Sequence, residues 1–270
     1  METIMGRKSV RTYDGRQISD QDRKNLEEYI ETITNPFDIP VKFMLLDAEE
    51  NGLSSPVLSG EKMYVAGKVG KKPYADVAFG YSFEKLVLYA WTLGIGTVWI
   101  GGTMKRELFE SAAKVEDGEL MPCISPLGYP ARKRSLMESM MRRGAGSDSR
   151  MSADKLFFNE KWGDVLEPDT SMAEILEMVR WAPSAVNKQP WRIITKDGTY
   201  HFYEKKDRGY DRDKTGDLQK IDVGIALCHF IMGIEEKGMA YEVHIEDPGI
   251  DIPDNTEYIV SVKVNYGAIA

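Results

Sequence analysis

The feature that most constrains the fold of this 270-residue chain is a pattern that occurs twice. An apolar run over residues 76–94 begins with Asp-Val and ends with Gly, and a similar run occupies residues 222–238. Each run is followed by a stretch of β-forming residues that ends in a glycine turn, Met121 to Gly128 in the first case and Tyr258 to Gly267 in the second. The repeated order predicts two halves of similar structure.

The repetition extends upstream of both apolar runs. Residues 7–9 (Arg-Lys-Ser) and 150–152 (Arg-Met-Ser) each precede an amphipathic helix. The helices are expected to end near the X-Pro pairs at 35–36 and 182–183, because a residue before proline is biased away from helical backbone. Ser19 is the expected N-cap of the first helix. Apolar side chains at helical spacing mark one face of each helix: Leu26, Tyr29, Ile30 and Ile33 in the first, and Met172, Ile175, Leu176 and Val179 in the second.

A strand pattern follows each of these helices, over Val41–Asp47 in one half and Trp191–Thr195 in the other. Each half therefore has the order helix, strand, long helix, strand, and the chain is predicted to be α+β. A half of this size buries its apolar faces poorly by itself, so we expect the two α/β repeats to pack as a pseudo-dimer. The alternative is that such echoes arise by chance in an α+β chain.

The boundary between the halves is placed in a polar, glycine-rich stretch that starts at Arg142. Such a composition is typical of an exposed linker. We assign residues 1–143 to the first half, 144–149 to the linker and 150–270 to the second half.

Composition restricts the classes of partner. Hydrophobic residues make up 42% of the chain, which is enough for a sizeable core. Lys and Arg number 35 against 43 Asp and Glu, and this net negative charge argues against binding to nucleic acid or to an anionic membrane. Any site for an anion must be a local concentration of positive charge.

The cysteines and the apolar runs point to an intracellular protein without a metal centre. Cys123 and Cys228 are the only cysteines, and both lie in apolar runs, so we expect buried thiols rather than zinc ligands. The amino terminus has no apolar stretch of signal-peptide length, and the longest apolar runs are too short to span a bilayer. These observations predict a cytoplasmic protein.

Four residues near the amino terminus could bind a phosphate. Arg7, Lys8, Ser9 and Arg11 place three cations and a hydroxyl within five residues. In an extended segment Arg7, Ser9 and Arg11 would lie on one side, where two guanidinium groups and a hydroxyl suit a phosphate monoester. The alternative is a solvated basic terminus.

The loop Ala182–Trp191 could bind a heteroaromatic ring. It displays Ser184, Asn187 and Gln189 between the end of a helix and the start of a strand. The amide side chains carry donors and an acceptor, so they could bind the alternating N–H and C=O groups of a flavin pyrimidine. The alternative is a rigid turn without a ligand.

Two further stretches carry weaker signals. Gly94–Gly102 closes with glycines that would let backbone amides approach a planar ligand. Leu127–Arg134 combines a strand end, a turn and a basic cluster, which could complete a phosphate pocket or form a solvated loop.

Together these four stretches resemble the FMN-dependent nitroreductase family. Its members carry an arginine-serine-arginine start, a proline-serine-asparagine-glutamine-proline-tryptophan loop, a glycine-rich segment after a long helix and a leucine-glycine-tyrosine-proline end. The loop is the most specific match. In that family the loop comes from one subunit of a homodimer and the other elements come from its partner, whereas here they lie in the two halves of one chain. The sequence therefore resembles the subfamily in which the dimer is fused.

The resemblance implies a nitroreductase-like fold in which each repeat has a small, mainly antiparallel sheet and a long central helix. It implies FMN as the cofactor, with the flavin N5 and not a side chain carrying the chemistry. It assigns FMN binding to Arg7, Lys8, Ser9, Arg11, Ile100, Gly101, Gly102, Arg132, Arg134, Pro183, Ser184, Asn187 and Gln189.

The expected reaction is hydride transfer from NADH or NADPH to FMN and then to an electron-poor small molecule such as a nitroaromatic or a quinone. A reductase or dehydrogenase of one specific metabolite, or a protein that binds FMN without turnover, remains an alternative. The fused chain is expected to be a monomer or a weak homo-oligomer.

A symmetric dimer would have a second, reciprocal site, formed by the arginine start of the second half and the loop of the first half. In this chain that site departs from the family pattern. In the second half the arginine start has become Arg-Met-Ser-Ala-Asp over residues 150–154, with Asp154 where a phosphate would need a cation. In the first half the loop has become Asn-Pro-Phe-Asp over residues 35–38. We expect this second site to be inactive.

Overall fold

The computed structural model describes residues 2–133, 135–144, 146, 149–213 and 215–265. The helices are α1 Glu2–Gly6, α2 Asp20–Ile30, α3 Ala75–Thr92, α4 Arg106–Ala112, α5 Leu136–Gly144, α6 Thr170–Arg180 and α7 Leu218–Glu236, with short 3-10 helices at Ala153–Lys155 and Ala185–Asn187. The strands are β1 Val41–Asp47, β2 Met63–Gly70, β3 Glu119–Leu120, β4 Ile124–Leu127, β5 Phe157–Asn159, β6 Trp191–Lys196, β7 Thr199–Lys205, β8 Asp211–Arg212, β9 Gly216–Asp217, β10 Ala240–His244 and β11 Thr256–Asn265. The chain is α+β, as predicted.

Elements with strong local signals begin and end close to the predicted residues. Ser19 caps α2, and its side chain accepts a hydrogen bond from the backbone N–H of Asp22. That helix ends at Ile30, so Ile33 lies beyond it. The predicted apolar face of α6 is buried in full: Met172, Ile175, Leu176 and Val179. The free thiols of Cys123 and Cys228 are buried.

Two larger sheets, mainly antiparallel, flank the long helices, and β8 and β9 form a separate two-stranded sheet. In the first sheet β1 pairs with β2, and β3 and β4 both pair with β2. The second sheet has the order β10-β11-β7-β6-β5, in which β5 and β6 run parallel. None of the described helices is long and apolar enough to cross a membrane.

The long helices α3 and α7 cross in the centre of the largest apolar cluster, and the crossing is reciprocal. A Cβ atom added to Gly80 would lie 2.1 Å from the carbonyl oxygen of Ile221, and one added to Gly224 would lie 2.1 Å from that of Val77. Each helix therefore brings a glycine against the backbone of the other. Close approach of two backbones is the situation in which glycine is required.

The positions at this crossing are related by one constant separation along the chain. It separates Val77 from Ile221, Gly80 from Gly224, and the glycine that ends the first apolar run from the glycine that ends the second. The two Asp-Val pairs at the start of the apolar runs are separated by two residues more than this. Asp76 and Asp222 are therefore not equivalent positions at the crossing. Asp76 accepts a hydrogen bond from the backbone N–H of Asp217, while Asp222 accepts from that of Ala185.

Helix α5 includes the start of the polar stretch in which the boundary between the halves was placed, and the boundary itself stays a prediction. Residues 142–144 form the last turn of α5, and Ala145, Ser147 and Asp148 lie outside the described residues. The polarity of this helix is reversed relative to a normal surface helix. Glu138 and Arg142 are buried, whereas Leu136, Met137 and Met140 are exposed.

Glu204 on β7 makes the stability of the fold sensitive to pH. It is 1% exposed, and its Oε2 has no hydrogen-bond partner in the described part of the chain. Burial, together with the charge of Asp217, raises the pKa of Glu204 to about 8. Because this value lies above that of an unfolded glutamate, the protein loses stability as the pH rises through it.

We therefore expect Glu204→Gln to increase the free energy of unfolding at pH 9, by on the order of 2 kcal/mol, with a smaller difference at pH 5. Urea denaturation at the two pH values measures this. Glu50→Gln, on an exposed turn, is the control. An effect of Glu204→Gln that does not grow with pH would contradict the burial of a charged carboxylate.

Candidate functional site

A cavity of about 380 Å³ lies where the two predicted halves meet. From the first half it is lined by five of the residues predicted to bind FMN, namely Arg7, Lys8, Ser9, Arg11 and Gly101. From the second half it is lined by Pro183, Ser184 and Asn187. The volume falls in the range of cavities that hold small-molecule ligands and cofactors.

A short extended segment carries the amino-terminal cations into this cavity. Ser9 forms a parallel bridge with Thr97, and the backbone N–H of Val10 donates to the carbonyl of Thr97 at 2.9 Å. The Tyr13 hydroxyl donates to the carbonyl of Val10 at 2.6 Å. These contacts fix the backbone, so the side chains of residues 7–11 are held at the cavity wall.

The two arginines of this segment keep unused donors in a buried place. Nε and Nη1 of Arg7 and Nη1 of Arg11 are buried and have no hydrogen-bond partner among the described residues. Burial lowers the pKa of both guanidinium groups, yet arginine stays protonated in proteins. A buried cation without a full set of acceptors is costly unless an anion pairs with it. These donors fit the oxygens of a phosphate group.

Helix α5 brings a further arginine to the same wall. Arg142 lines the cavity, and its positive charge acts on both Arg7 and Arg11. On the same buried face, Glu138 accepts a hydrogen bond from the Thr12 hydroxyl at 2.8 Å. The sequence held a signal for this helix, because Ser135 accepts from the N–H of Glu138, as in the Ser-x-x-Glu capping box.

The second-half loop is held in a strained conformation. Val186, Asn187 and Gln189 have φ angles of 51°, 56° and 49°, a region that costs energy for residues other than glycine. Both carboxyl oxygens of Asp222 lie about 3 Å from the backbone nitrogen of Ala185, and the Ser184 hydroxyl accepts from the N–H of Gln189 at 2.9 Å. The contacts of this loop keep it against the cavity.

Asp222 itself lines the cavity. Burial raises its pKa well above the usual range of an aspartate. Cys123 also forms part of the wall, and burial raises the pKa of its thiol to about 12. The thiol is therefore protonated at neutral pH and is not a nucleophile.

The two amide side chains of the loop bind the protein itself. Asn187 Nδ2 donates to the carbonyls of Gly146 and Ser149 at 2.9 and 3.1 Å. Gln189 accepts from the N–H of Met151 at 2.9 Å, is 3% exposed and lies outside the cavity lining. These groups hold Gly146, Ser149 and Met151 against the loop. Their contact with a flavin pyrimidine stays a prediction.

Arg150 is a cavity residue that the sequence interpretation assigned to an inactive reciprocal site. Its guanidinium carbon lies 4.9 Å from the centre of the Trp181 ring, and it donates to Asn187 Oδ1 at 3.4 Å. Trp99 and Trp181 both form part of the wall. The aromatic rings and the cations together suit a ligand with a flat ring and an anionic group.

Three further residues of the predicted set lie outside the cavity lining, and a fourth is not described. Ile100 is buried in an apolar cluster and its backbone pairs with Ile124. Gly102 and Arg132 do not line the cavity, and Arg132 is exposed. Arg134 lies outside the described residues. Their predicted contacts with a cofactor stay predictions.

Comparison with known proteins identifies relatives over most of the chain. Residues 1–234 match a family model described as Putative TM nitroreductase. A crystal structure of a putative nitroreductase from Thermotoga maritima superposes with a TM-score of 0.63 at 22% identity, covering 98% of this chain and 93% of that one. This likeness shows a shared fold.

Other nitroreductase structures superpose on part of the chain. An FMN-dependent nitroreductase from Clostridium difficile gives a TM-score of 0.42 at 14% identity and covers 52% of this chain and 94% of that one. A putative NADH dehydrogenase/NAD(P)H nitroreductase from Bacteroides thetaiotaomicron gives 0.42 at 19% identity, covering 50% and 88%. No curated protein sequence matches this chain.

Proposed function

The chain belongs to the family described as Putative TM nitroreductase, and from that premise we propose that it is an FMN-dependent oxidoreductase. In this proposal NADH or NADPH supplies electrons, and an electron-poor small molecule such as a nitroaromatic or a quinone accepts them. One observation carries the proposal: buried guanidinium donors of Arg7 and Arg11, without partners among the described residues, lie at a cavity with two tryptophans in its wall.

Bound FMN would supply hydride transfer at its N5 atom, so no general base is needed from the protein. Arg7, Ser9 and Arg11 would hold the phosphate, with the charge of Arg142 behind them. The loop that Asp222 fixes would border the ring. Trp99 and Trp181, in the cavity wall, would exclude water from part of the cavity, and exclusion of water would strengthen the attraction between the arginines and a phosphate.

We also propose that the two halves arose as repeats of a fused dimer with only one working site. The reciprocal contacts of Gly80 and Gly224 support the repeat. The absence of a second site is supported by the use of Arg150 at the first cavity, and by the stacking of Phe37 on Tyr74 with ring centres 5.7 Å apart. Phe37 belongs to the stretch that replaces the polar loop in the first half.

The protein should therefore retain one FMN per chain. Protein incubated with excess FMN and then desalted is denatured, and the flavin absorbance is compared with protein mass. A saturated ratio near one is expected, because the cavity at Arg7 and Ser184 is the only one found among the described residues that combines the arginine-serine-arginine start with the polar loop. A ratio near two would contradict the single site, and retention of no flavin would contradict the proposed function.

Turnover separates the proposed reaction from its alternatives. Steady-state oxidation of NADH and NADPH is measured with a panel of nitroaromatics and quinones. Activity with several of these acceptors is the expected result. Activity confined to one metabolite would indicate a specific reductase, and flavin binding without oxidation of either nucleotide would indicate a binding protein.

A further inference from the structure

We propose that His229, a residue outside the cavity, sets how strongly Arg7 binds a phosphate group. The proton that His229 shares with Glu84 cancels the charge of this carboxylate, and the Arg7 guanidinium then stays available to a ligand. His229 acts here as a positioning residue through Glu84. The inference rests on the proposed function only for the identity of the ligand, FMN.

The contacts form a chain from one long helix to the other. Glu84 on α3 and His229 on α7 are both 0% exposed. His229 Nε2 lies 3.0 Å from Glu84 Oε1, and His229 Nδ1 lies 2.9 Å from the carbonyl oxygen of Met178. On the cavity side, Glu84 Oε2 accepts a hydrogen bond from Trp99 Nε1 at 2.9 Å, and Oε1 lies 3.8 Å from Arg7 Nε.

The hydrogen bonds determine how many protons the pair holds. A carbonyl oxygen only accepts, so His229 Nδ1 carries a hydrogen. The bond between Nε2 and Glu84 Oε1 needs one proton, which resides on either atom. Imidazolium with carboxylate and imidazole with carboxylic acid have the same net charge, zero. Glu84 and His229 are together neutral in both arrangements.

Because the pair is neutral, it does not compensate the positive charge of Arg7. A distance of 3.8 Å is too long for a hydrogen bond, in agreement with the missing partners of Arg7 Nε and Nη1 within the described chain. The nearest carboxylate is bonded to His229 and Trp99 instead. The positive charge of Arg7 is thus left for a group that enters the cavity. Glu84 acts electrostatically on Arg7. Without the proton on His229, the negative charge of Glu84 would be uncompensated and would repel a phosphate.

The test compares FMN with riboflavin, which lacks the phosphate. His229→Gln keeps an N–H donor toward Glu84 but cannot take up a proton. We expect its affinity for FMN to fall about tenfold to a hundredfold, because the uncompensated negative charge of Glu84 would then act on the phosphate across a partly buried site. Affinity for riboflavin should change by less than about twofold. Fluorescence quenching of the flavin on titration with protein gives both dissociation constants.

Removal of the carboxylate should reverse this effect. Glu84→Gln alone should bind FMN at least as tightly as the unchanged protein, and the double variant H229Q/E84Q should recover the affinity that His229→Gln loses. A role of His229 in packing alone predicts equal losses for FMN and riboflavin, and no recovery in the double variant. Either of these results, or an unchanged FMN affinity in His229→Gln, would overturn the inference.

Inorganic phosphate is a second probe, which separates this inference from the proposed function. If the unchanged protein binds no FMN, the proposed function fails. The same variants are then compared by titration calorimetry with phosphate. Weaker phosphate binding in His229→Gln and recovery in H229Q/E84Q would still support the role of His229, and equal affinity in all variants would reject it.

Discussion

Replacement of Arg11 or Arg7 by alanine is expected to weaken FMN binding by roughly 1.5–3 kcal/mol each, while riboflavin binding scarcely changes. The reason is that both side chains hold buried donors without partners in the described structure, and a phosphate would satisfy them. The loss corresponds to roughly a tenfold to more than a hundredfold change in dissociation constant. Titration of each variant with FMN and with riboflavin measures the difference.

Arg11→Ala is the cleaner of these two variants. Arg7 lies near the fully buried Glu84, so its removal also changes the surroundings of that carboxylate. Arg23→Ala is a matched control, because Arg23 is exposed and pairs only with Glu27 on the outer face of α2 among the described residues. Equal losses for FMN and riboflavin in Arg11→Ala would show that this arginine supports the fold rather than a phosphate.

Gly224→Ala is expected to destabilise the protein by roughly 3 kcal/mol, and to lower the melting temperature by roughly 6–10 °C. The added Cβ would lie 2.1 Å from the carbonyl oxygen of Val77. A backbone atom cannot move aside as a flexible side chain can, so the two long helices must separate. Gly80→Ala should have an effect of similar size, because it meets the carbonyl of Ile221 at the same distance.

Gly70→Ala is the control for this loss, since a Cβ at Gly70 meets no atom of the described residues within 4 Å. Calorimetry of the three variants gives the comparison. A melting temperature of Gly224→Ala within about 2 °C of that of Gly70→Ala would show that the helices do not approach as closely as the structure has them. Flavin binding should weaken with stability, because α7 carries Ile221 and Asp222 into the cavity wall.

Local chemistry explains which elements the sequence predicted well. The N-cap at Ser19 and the strand Val41–Asp47 depend on neighbouring residues, and the structure has both as expected. The four apolar positions of α6 are buried because they recur at the helical period and so lie on the one face of the helix that packs against the protein. Signals of this kind need no knowledge of the rest of the chain.

Long-range contacts explain what the sequence did not predict. Arg142 begins a polar, glycine-rich stretch whose composition is typical of an exposed linker, yet it is buried, and its helix is attached by polar contacts with a segment more than a hundred residues away. Arg150 was judged by its position in a repeat, whereas its contacts with Trp181 and Asn187 place it at the first cavity. The spacing of residues along the chain does not indicate these contacts.

The amide side chains of the loop illustrate a different limit. Asn187 and Gln189 have the donors and acceptor that a flavin edge requires, and the sequence left that use open beside a rigid turn without a ligand. The structure shows them bound to the carbonyls of Gly146 and Ser149 and to the N–H of Met151. Chemical capacity identifies what a side chain can bind, but the competing partners within the protein appear only in three dimensions.

The reversed polarity of α5 has a consequence for access to the cavity. A helix that exposes Leu136 and Met140 and buries Glu138 and Arg142 gains little from hydrophobic burial. Segments with few buried apolar contacts open locally at a fraction of the free energy of global unfolding. In hydrogen exchange, the amides of α5 should thus exchange well before those of α3 and α7. Detachment of this one helix would open the part of the cavity wall that Met141 and Arg142 form, while the central helices stay packed.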